Sequence, residues 1–473
     1  MTSAAHRIRR LSWLVRTPSQ SAAFARRQAL RDELESVLLP TLERVFDRYS
    51  SGDQVLRIPK LTLHVAADFG TDADLARRIE EQLHAALSTL SRGSVARHDV
   101  SIDAPAHVRL DVQQLSVAEH RRELLVGYLR SGRIGWQATS QETAVLVEWL
   151  RAEAELLAIQ PPGGAGLILG TLETRLAISF RLLQLLMPTT RRELLRRVSL
   201  PREEFIAALF QSLQDAEHDD YRKLRLAALL LALREEDLPG MGERSVSEIL
   251  EGASAASAAA PSSDSGSDIQ QSRKEAPKPG ASQMIDAAAW RLIAVDRIGG
   301  VDVPDLIAND AGLILLHPYL PRLFAATGIV TTASPVLSPA SLPRAAALLH
   351  WLAAGNDDVF EFELSMSKVL LGLTPDDPLP VSEGLLSDKD RDEGDALLAA
   401  ASDHWSALGR TSIAGLRASF LQRRGMLRGD DLGWRLRMET KSFDMLLGRL
   451  PWSITHVKLP WMNKPIFTDW LTP

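Results

Sequence analysis

Two periods organise the apolar positions of this chain, one of two residues and one near 3.6. Leu11, Trp13 and Val15 alternate with Ser12, Leu14 and Arg16, and Leu61, Leu63 and Val65 alternate with Lys60, Thr62 and His64. Val108, Leu110 and Val112 alternate with Arg109 and Asp111. These runs predict strands. Helices are expected over residues 21–49, on Phe24, Leu30, Leu34, Val37 and Leu38, and from Asp72 or Asp74 through Leu75, Ile79, Leu83 and Leu87. The β-α-β-α-β order predicts a small α/β domain over residues 1–135, with parallel pairing of some strands.

The longer period takes over in residues 141–251, which read as a helical region. Leu146, Trp149, Leu150 and Leu156 mark its first helix, and Pro161-Pro162-Gly163-Gly164 separates that from a helix over 172–187. Further helices are expected at 201–213 and 221–234. Residues 252–283 are dominated by Ala, Ser, Gly, Pro and Asp, with Lys274-Glu275-Ala276-Pro277-Lys278-Pro279 near their end. Such a segment buries too little apolar surface to offset its ordering entropy, so it reads as a flexible, disordered linker. Its roughly 30 residues reach about 100 Å when extended.

Residues 284–473 read as a mainly helical domain, with helices at 285–298, 311–326, 342–354, 362–373, 388–408 and 413–422. The period of two returns at Trp434, Leu436 and Met438, and again over 453–458. The fold class expected is therefore mixed and mainly α. A short β-containing tail, a hairpin or meander, caps the last helical domain. That tail holds Leu450-Pro451-Trp452 and Leu459-Pro460-Trp461, with Trp434 and Trp470 close by. Proline forbids a continuous helix there, and tryptophan is costly to leave in water. The tail must pack on something, which makes Pro451, Trp452, Pro460 and Trp461 candidate docking or structural residues.

Composition narrows the function. The chain has 473 residues, is 45% hydrophobic and 24% charged, and carries a formal net charge of -6. It is long enough for several cores, and its charge gives no reason to expect a nucleic-acid partner. Cysteine is absent, which removes disulfides, thiolate metal sites and cysteine nucleophiles. That suits the cytoplasm. The start lacks the apolar core of a signal peptide. The longest apolar run, from Leu226 to Leu233, is far short of the about 20 residues a membrane span needs.

Candidate chemistry is sparse. Ser365 and Lys368 have S-x-x-K spacing, but the companion elements of that motif are missing, and an ordinary helix explains them. Gly163-Gly164-Ala165-Gly166 has neither G-K-[ST] nor G-x-G-x-x-G spacing and follows two prolines, as a turn does. Glu217-His218-Asp219-Asp220 offers hard oxygen ligands, yet consecutive residues point in different directions, and a turn between helices accounts for them. Asp403 and His404 are helix neighbours that do not face each other. His317-Pro318-Tyr319 sits in an apolar run; a kink with His317 bonding freed backbone groups is favoured over catalysis. No catalytic residue, metal or cofactor is expected.

The run Asn309-Asp310-Ala311-Gly312-Leu313-Ile314-Leu315-Leu316-His317-Pro318-Tyr319-Leu320 resembles the N-x-A-G-L-[VI]-L-L-H-P-[FY]-L signature of the contractile injection system tape measure proteins. His350-Trp351-Leu352 to Gly355, Ser367-Lys368-Val369-Leu370 to Leu373, His404-Trp405, and Thr411-Ser412 through Gly425 are similar to further stretches of that family. So are both Leu-Pro-Trp units and, near the start, His6-Arg7-Ile8, Leu39-Pro40 and Arg57-Ile58-Pro59-Lys60-Leu61. Ser367 stands where Asn is usual, and Asp310 where a small polar residue is common. The resemblance covers about residues 5–65 and 300–470 and leaves the middle unconstrained. It implies a structural protein of a phage-tail-like injection particle that helps set tube and sheath length, or else an assembly scaffold or chaperone that measures nothing. Its partners would be tube, hub or baseplate proteins. It would act in the cytoplasm during assembly, with the particle lumen as a later location.

Overall fold

The computed structural model describes residues 34–49, 54–58, 72–88, 113–135, 143–159, 170–197, 220–234, 306–331 and 335–470, with a few shorter stretches besides. Those residues are mainly helical, with one strand pair early in the chain and a five-stranded sheet toward its other end. The expected class, mixed and mainly α, is the one observed. The described elements form two compact units. The first draws on 1–129, 134–164 and 185–190, the second on 130–133, 165–184 and 191–473. The expected linker over 252–283, the helices over 201–213 and 285–298 and the strand over 108–112 lie outside the described residues.

In the first unit a π turn at Leu34–Leu38 leads into α1 (Leu39–Tyr49), which packs on α2 (Asp72–Ser88). Leu38, Leu42 and Val45 meet Leu75, Ile79, Leu83 and Leu87 in one buried seam, as spacings of three and four require. Strand β1 (Gln54–Arg57) pairs with β2 (Gln113–Ser116) antiparallel, Val55 opposite Leu115. The strands for which some parallel pairing was expected, at 11–15, 61–65 and 108–112, lie largely outside the described residues. The connection over 58–112 is long enough to return the chain in either sense, so an intervening helix does not fix the direction. The predicted strand over 60–65 is represented by Leu61 and Leu63, which lean on the α1–α2 seam. Then α3 (Val117–Ser131) starts directly after β2 on a capping box. The Ser116 hydroxyl accepts from the Glu119 N–H at 3.1 Å, and the Glu119 carboxylate accepts from the Ser116 N–H at 2.8 Å. Helix α4 (Thr143–Ile159) buries Leu146, Val147, Leu150 and Leu157, and Arg121 lies over the Trp149 ring at 4.5 Å.

The second unit takes in most of α5 (Leu172–Leu185) and α6 (Pro188–Arg196), all of α7 (Asp220–Ala232) and everything described after it. Strand β3 (Leu306–Ala308) is followed by a 3₁₀ helix at Ala311–Leu316 and by α8 (Leu320–Ala326). One kinked helix was expected over 311–326; Pro318 instead splits it in two, because proline cannot donate to the preceding turn. Helix α9 (Leu342–Ala354) has the expected bounds, with Pro343 in its first turn and Gly355 closing it at φ 78°. The run expected over 362–373 resolves into a 3₁₀ turn at Glu361–Glu363 and α10 (Ser365–Leu370). Helix α11 (Asp388–His404) begins on Ser387 and Asp390 and stops where Trp405 leaves helical dihedrals. Helix α12 (Ile413–Leu416) widens into a π turn at Arg417–Leu421.

Strands β4 (Gly425–Gly429), β5 (Trp434–Met438), β6 (His456–Val457) and β7 (Ile466–Asp469) complete a sheet ordered β3-β4-β5-β7-β6. All pairs are antiparallel except β5–β7. The tail is therefore neither a hairpin nor a meander. Between β5 and β7 the chain passes through a 3₁₀ helix at Ser442–Arg449 and both Leu-Pro-Trp units, and so returns in the direction in which it left. Leu427, Leu436, Met438, Val457 and Ile466 line the inner face and join the core built by α8 to α11.

Candidate functional site

Both Leu-Pro-Trp units turn inward, and each indole meets a helix end. A 3₁₀ helix pairs each carbonyl with the N–H three residues on. For Leu315 that partner is Pro318, which has none. The Trp452 Nε1–H supplies the bond instead, at 2.9 Å. The Trp461 Nε1–H donates to the carbonyl of Leu370, the last residue of α10, at 2.8 Å. Terminal helix carbonyls lack intrahelical donors, and two tryptophans fill that need here. Pro451 is exposed in a bend, and Pro460 is exposed at the second position of a turn closed by the Met462 N–H on the Leu459 carbonyl at 3.0 Å.

The rings pack as well as they bond. Trp461 stacks on Phe324 with centroids 5.1 Å apart. Trp452 meets Tyr319 edge to face at 5.3 Å and His404 at 5.4 Å. The Tyr319 hydroxyl is 2.8 Å from His404 Nδ1. Thus Tyr319, His404 and Trp452, which belong to three separate sequence motifs, form one cluster. His404 was set aside beside Asp403; its partner is instead Tyr319, which sequence proximity could not reveal. His317 Nδ1 lies 3.0 Å from the Ile314 carbonyl, and burial lowers its pKa against the raising effect of that bond. Pro318 is exposed.

Two glycines make the frame possible. A Cβ on Gly312 would sit 1.7 Å from the Phe420 carbonyl oxygen, so the 3₁₀ helix can lie on the π turn only without a side chain there. At Gly372, φ 81°, an added Cβ would sit 2.8 Å from the Trp461 carbonyl oxygen.

Buried charges brace the same unit. Glu361 accepts from Arg181 Nε at 2.7 Å and Nη2 at 2.9 Å, from Lys368 Nζ at 2.7 Å and from the Leu379 N–H at 3.0 Å. Burial alone would raise the Glu361 carboxyl; Lys368 and Arg181 outweigh it and hold the group down at about 2. Lys368 also donates to the Pro375 carbonyl at 3.1 Å. The lysine of the S-x-x-K spacing is thus committed to an ion pair. A cleft beside the cluster is walled by Leu176, Phe180, Leu342, Pro343, Leu379 and Pro380, and the Glu361 carboxylate in it is already supplied with donors. Arg423, fully buried, donates to the Asp444 carboxylate at 2.6 and 2.7 Å and to the Glu439 carbonyl at 2.9 Å. Neither Glu361 nor Arg423 stands out in the sequence, since their partners lie far away along the chain.

Among the described residues no group of three or more acidic or histidine side chains is placed to hold a metal ion. Of the Glu217–Asp220 cluster, only Asp220 is described; the Gly163–Gly166 run lies outside. What the arrangement does is mechanical: it fixes a turn-rich, tryptophan-bearing segment onto helix ends. No curated protein matches this chain. No solved structure matches it. The family model for the contractile injection system tape measure protein matches residues 5–470. Since that match spans nearly the whole sequence, the chain belongs to the contractile injection system tape measure protein family.

Proposed function

We propose that the chain is an assembly component of a contractile, phage-tail-like injection particle, and that it sets the length of tube and sheath as they polymerise. The family match over residues 5–470 carries this reading. In it the folded parts dock on tube, hub or baseplate proteins, and residues 141–283 supply the distance between them. Assembly takes place in the cytoplasm, and the chain then lies in the lumen of the finished particle. Among the described residues no helix is long and apolar enough to cross a membrane. The family is one of structural components, and no catalytic step is assigned. Trp452 and Trp461 serve docking indirectly, by holding the shape of the surface that docks. The test is to insert or delete blocks within residues 141–283 and to measure particle length by electron microscopy. Lengths that follow the size of the block support the ruler; unchanged lengths rule it out for this segment.

One observation supports a second reading, an assembly scaffold that binds tube or hub subunits without measuring. Arg181 lies inside the proposed spacer, yet its guanidinium is bound to Glu361 in the core of the second unit. That part of the spacer is built into a folded body and cannot extend. A scaffold would lose all particles on deletion of the gene, yet tolerate internal changes in length.

A further inference from the structure

Two glutamates of one short turn have opposite surroundings. Glu361 is ringed by donors from Arg181, Lys368 and the Leu379 N–H. Glu363, two residues on, accepts from the Phe360 N–H at 3.0 Å, and among the described residues no lysine or arginine pairs with it. Its charged neighbours are His350, Asp310 and Asp358. His350, on α9, is 3% exposed, and neither of its ring nitrogens has a hydrogen-bond partner. Asp310 Oδ2, at the start of the 3₁₀ helix after β3, lies 3.7 Å from its Nδ1. The cations on adjoining elements are committed elsewhere: Arg344 to Asp390, Arg391 to Asp357, Arg417 to Asp395 and the Leu352 carbonyl, and Arg423 to Asp444. The cluster thus sets three carboxyl groups against one imidazole. A buried carboxylate without a cation is costly, and a proton held in the cluster removes the cost. Burial, with Asp310 and Asp358 beside it, accordingly pushes Glu363 up to about 7.

The same turn holds a helix. Arg181 of α5 donates to Glu361, and Gln184 Nε2 of α5 donates to the Val359 carbonyl at 3.0 Å. On its solvent side the stretch is flanked by Gly355, at φ 78°, and by exposed Asn356 and Asp358.

We infer that residues 359–363 form a proton-controlled clasp on α5. While the cluster keeps its proton, the turn stays seated and holds Arg181 and Gln184. When the proton leaves Glu363 for water, the cluster carries one more unpaired negative charge. The turn then swings outward, and both bonds to α5 go with it. The clasp stands on this geometry alone. Its use rests on the length-setting reading, because α5 belongs to residues 141–283 and is free to leave the folded body only after release.

The test is hydrogen–deuterium exchange of the full-length chain from pH 6 to pH 8.5, corrected for the intrinsic exchange rate. Opening linked to loss of one proton grows roughly tenfold per pH unit above the transition. Protection of residues 176–184 and 356–364 should therefore fall by about that factor for each unit above pH 7, while residues 397–401 of α11 keep theirs. Glu363→Gln, which mimics the protonated acid, should hold protection level across the range. A flat wild-type profile, an undiminished pH dependence in Glu363→Gln, or loss of protection spread evenly over the second unit would overturn the clasp. The wild-type profile decides the matter by itself if that variant does not fold. Particle lengths measured on insertions within 141–283 test the length-setting reading separately, so either can fail while the other stands.

Discussion

Trp452 donates its indole N–H to the carbonyl of Leu315, at 2.9 Å, in place of the backbone donor that Pro318 lacks. Trp452→Phe keeps the ring contacts with Tyr319 and His404 but orphans that carbonyl, and should cost about 1–3 kcal/mol in urea unfolding. Pro318→Ala restores a backbone N–H. The double variant should therefore lose less than the two single losses added together. Strict additivity would show that the bond is not what Trp452 contributes.

Glu361 is the only acid among the described contacts that binds both Arg181 and Lys368. Glu361→Gln leaves two buried cations without a counter-charge and should cost about 3–5 kcal/mol. Replacing all three residues with leucine or methionine should cost less than that single change. The carboxyl is held at about 2, below its ordinary 4.5, so its stabilisation is complete above pH 4.5 and is lost as pH falls toward 2. Acid unfolding followed by circular dichroism reads this directly.

A second acid works in the opposite sense. Burial, with Asp310 and Asp358 nearby, pushes Glu363 up to about 7, against the pull of His350 and of the Phe360 N–H at 3.0 Å. His350 is raised too: burial opposes its charge, but Asp310, 3.7 Å away, and Glu363 favour it. Both groups hold protons more tightly in the folded state. Their stabilisation is present at low pH and is lost between pH 4.5 and 7 for Glu363, and as pH rises through the elevated pKa for His350. The melting temperature should therefore fall from pH 5 to pH 8, and Glu363→Gln should flatten that slope. A slope that survives the substitution unchanged would exclude Glu363 as its source.

Gly312→Ala drives a Cβ into the Phe420 carbonyl, where backbone faces backbone and neither can swing away. We expect a loss of at least the about 1–3 kcal/mol typical of overpacking, or no folded product. Gly448→Ala is the control: its Cβ would meet nothing within 4 Å. Comparable melting of the two variants would mean that the 3₁₀ helix can shift off the π turn.

The sequence made legible what depends on near neighbours. Pro343 and Gly355 delimit α9 locally, and the strict alternation of Trp434, Leu436 and Met438 gives β5. It missed β3, β4 and β7, since three to five residues carry little periodicity and their partners are remote, Leu306 opposite Leu427 for example. Helix α3 was missed because its apolar residues fill a broad face beginning at the end of a strand. The tail's need for burial was readable from two tryptophans beside prolines. Which atoms the indoles would meet was not, because the unmet carbonyls of Leu315 and Leu370 exist only once the chain has folded.

The sheet order carries one more consequence. Strand β7 lies inside the sheet, between β5 and β6, although it follows both in sequence. A chain ended at Met462 would keep β3, β4 and β5 paired but leave a slot one strand wide beside them. A synthetic peptide of residues 463–470 carries both the missing ladder and Trp470, whose Nε1–H reaches Asp444 at 3.3 Å. Adding that peptide to the truncated chain should close the slot and restore the β5–β7 ladder, read as a recovered melting temperature; a peptide lacking the Trp470 indole should restore less.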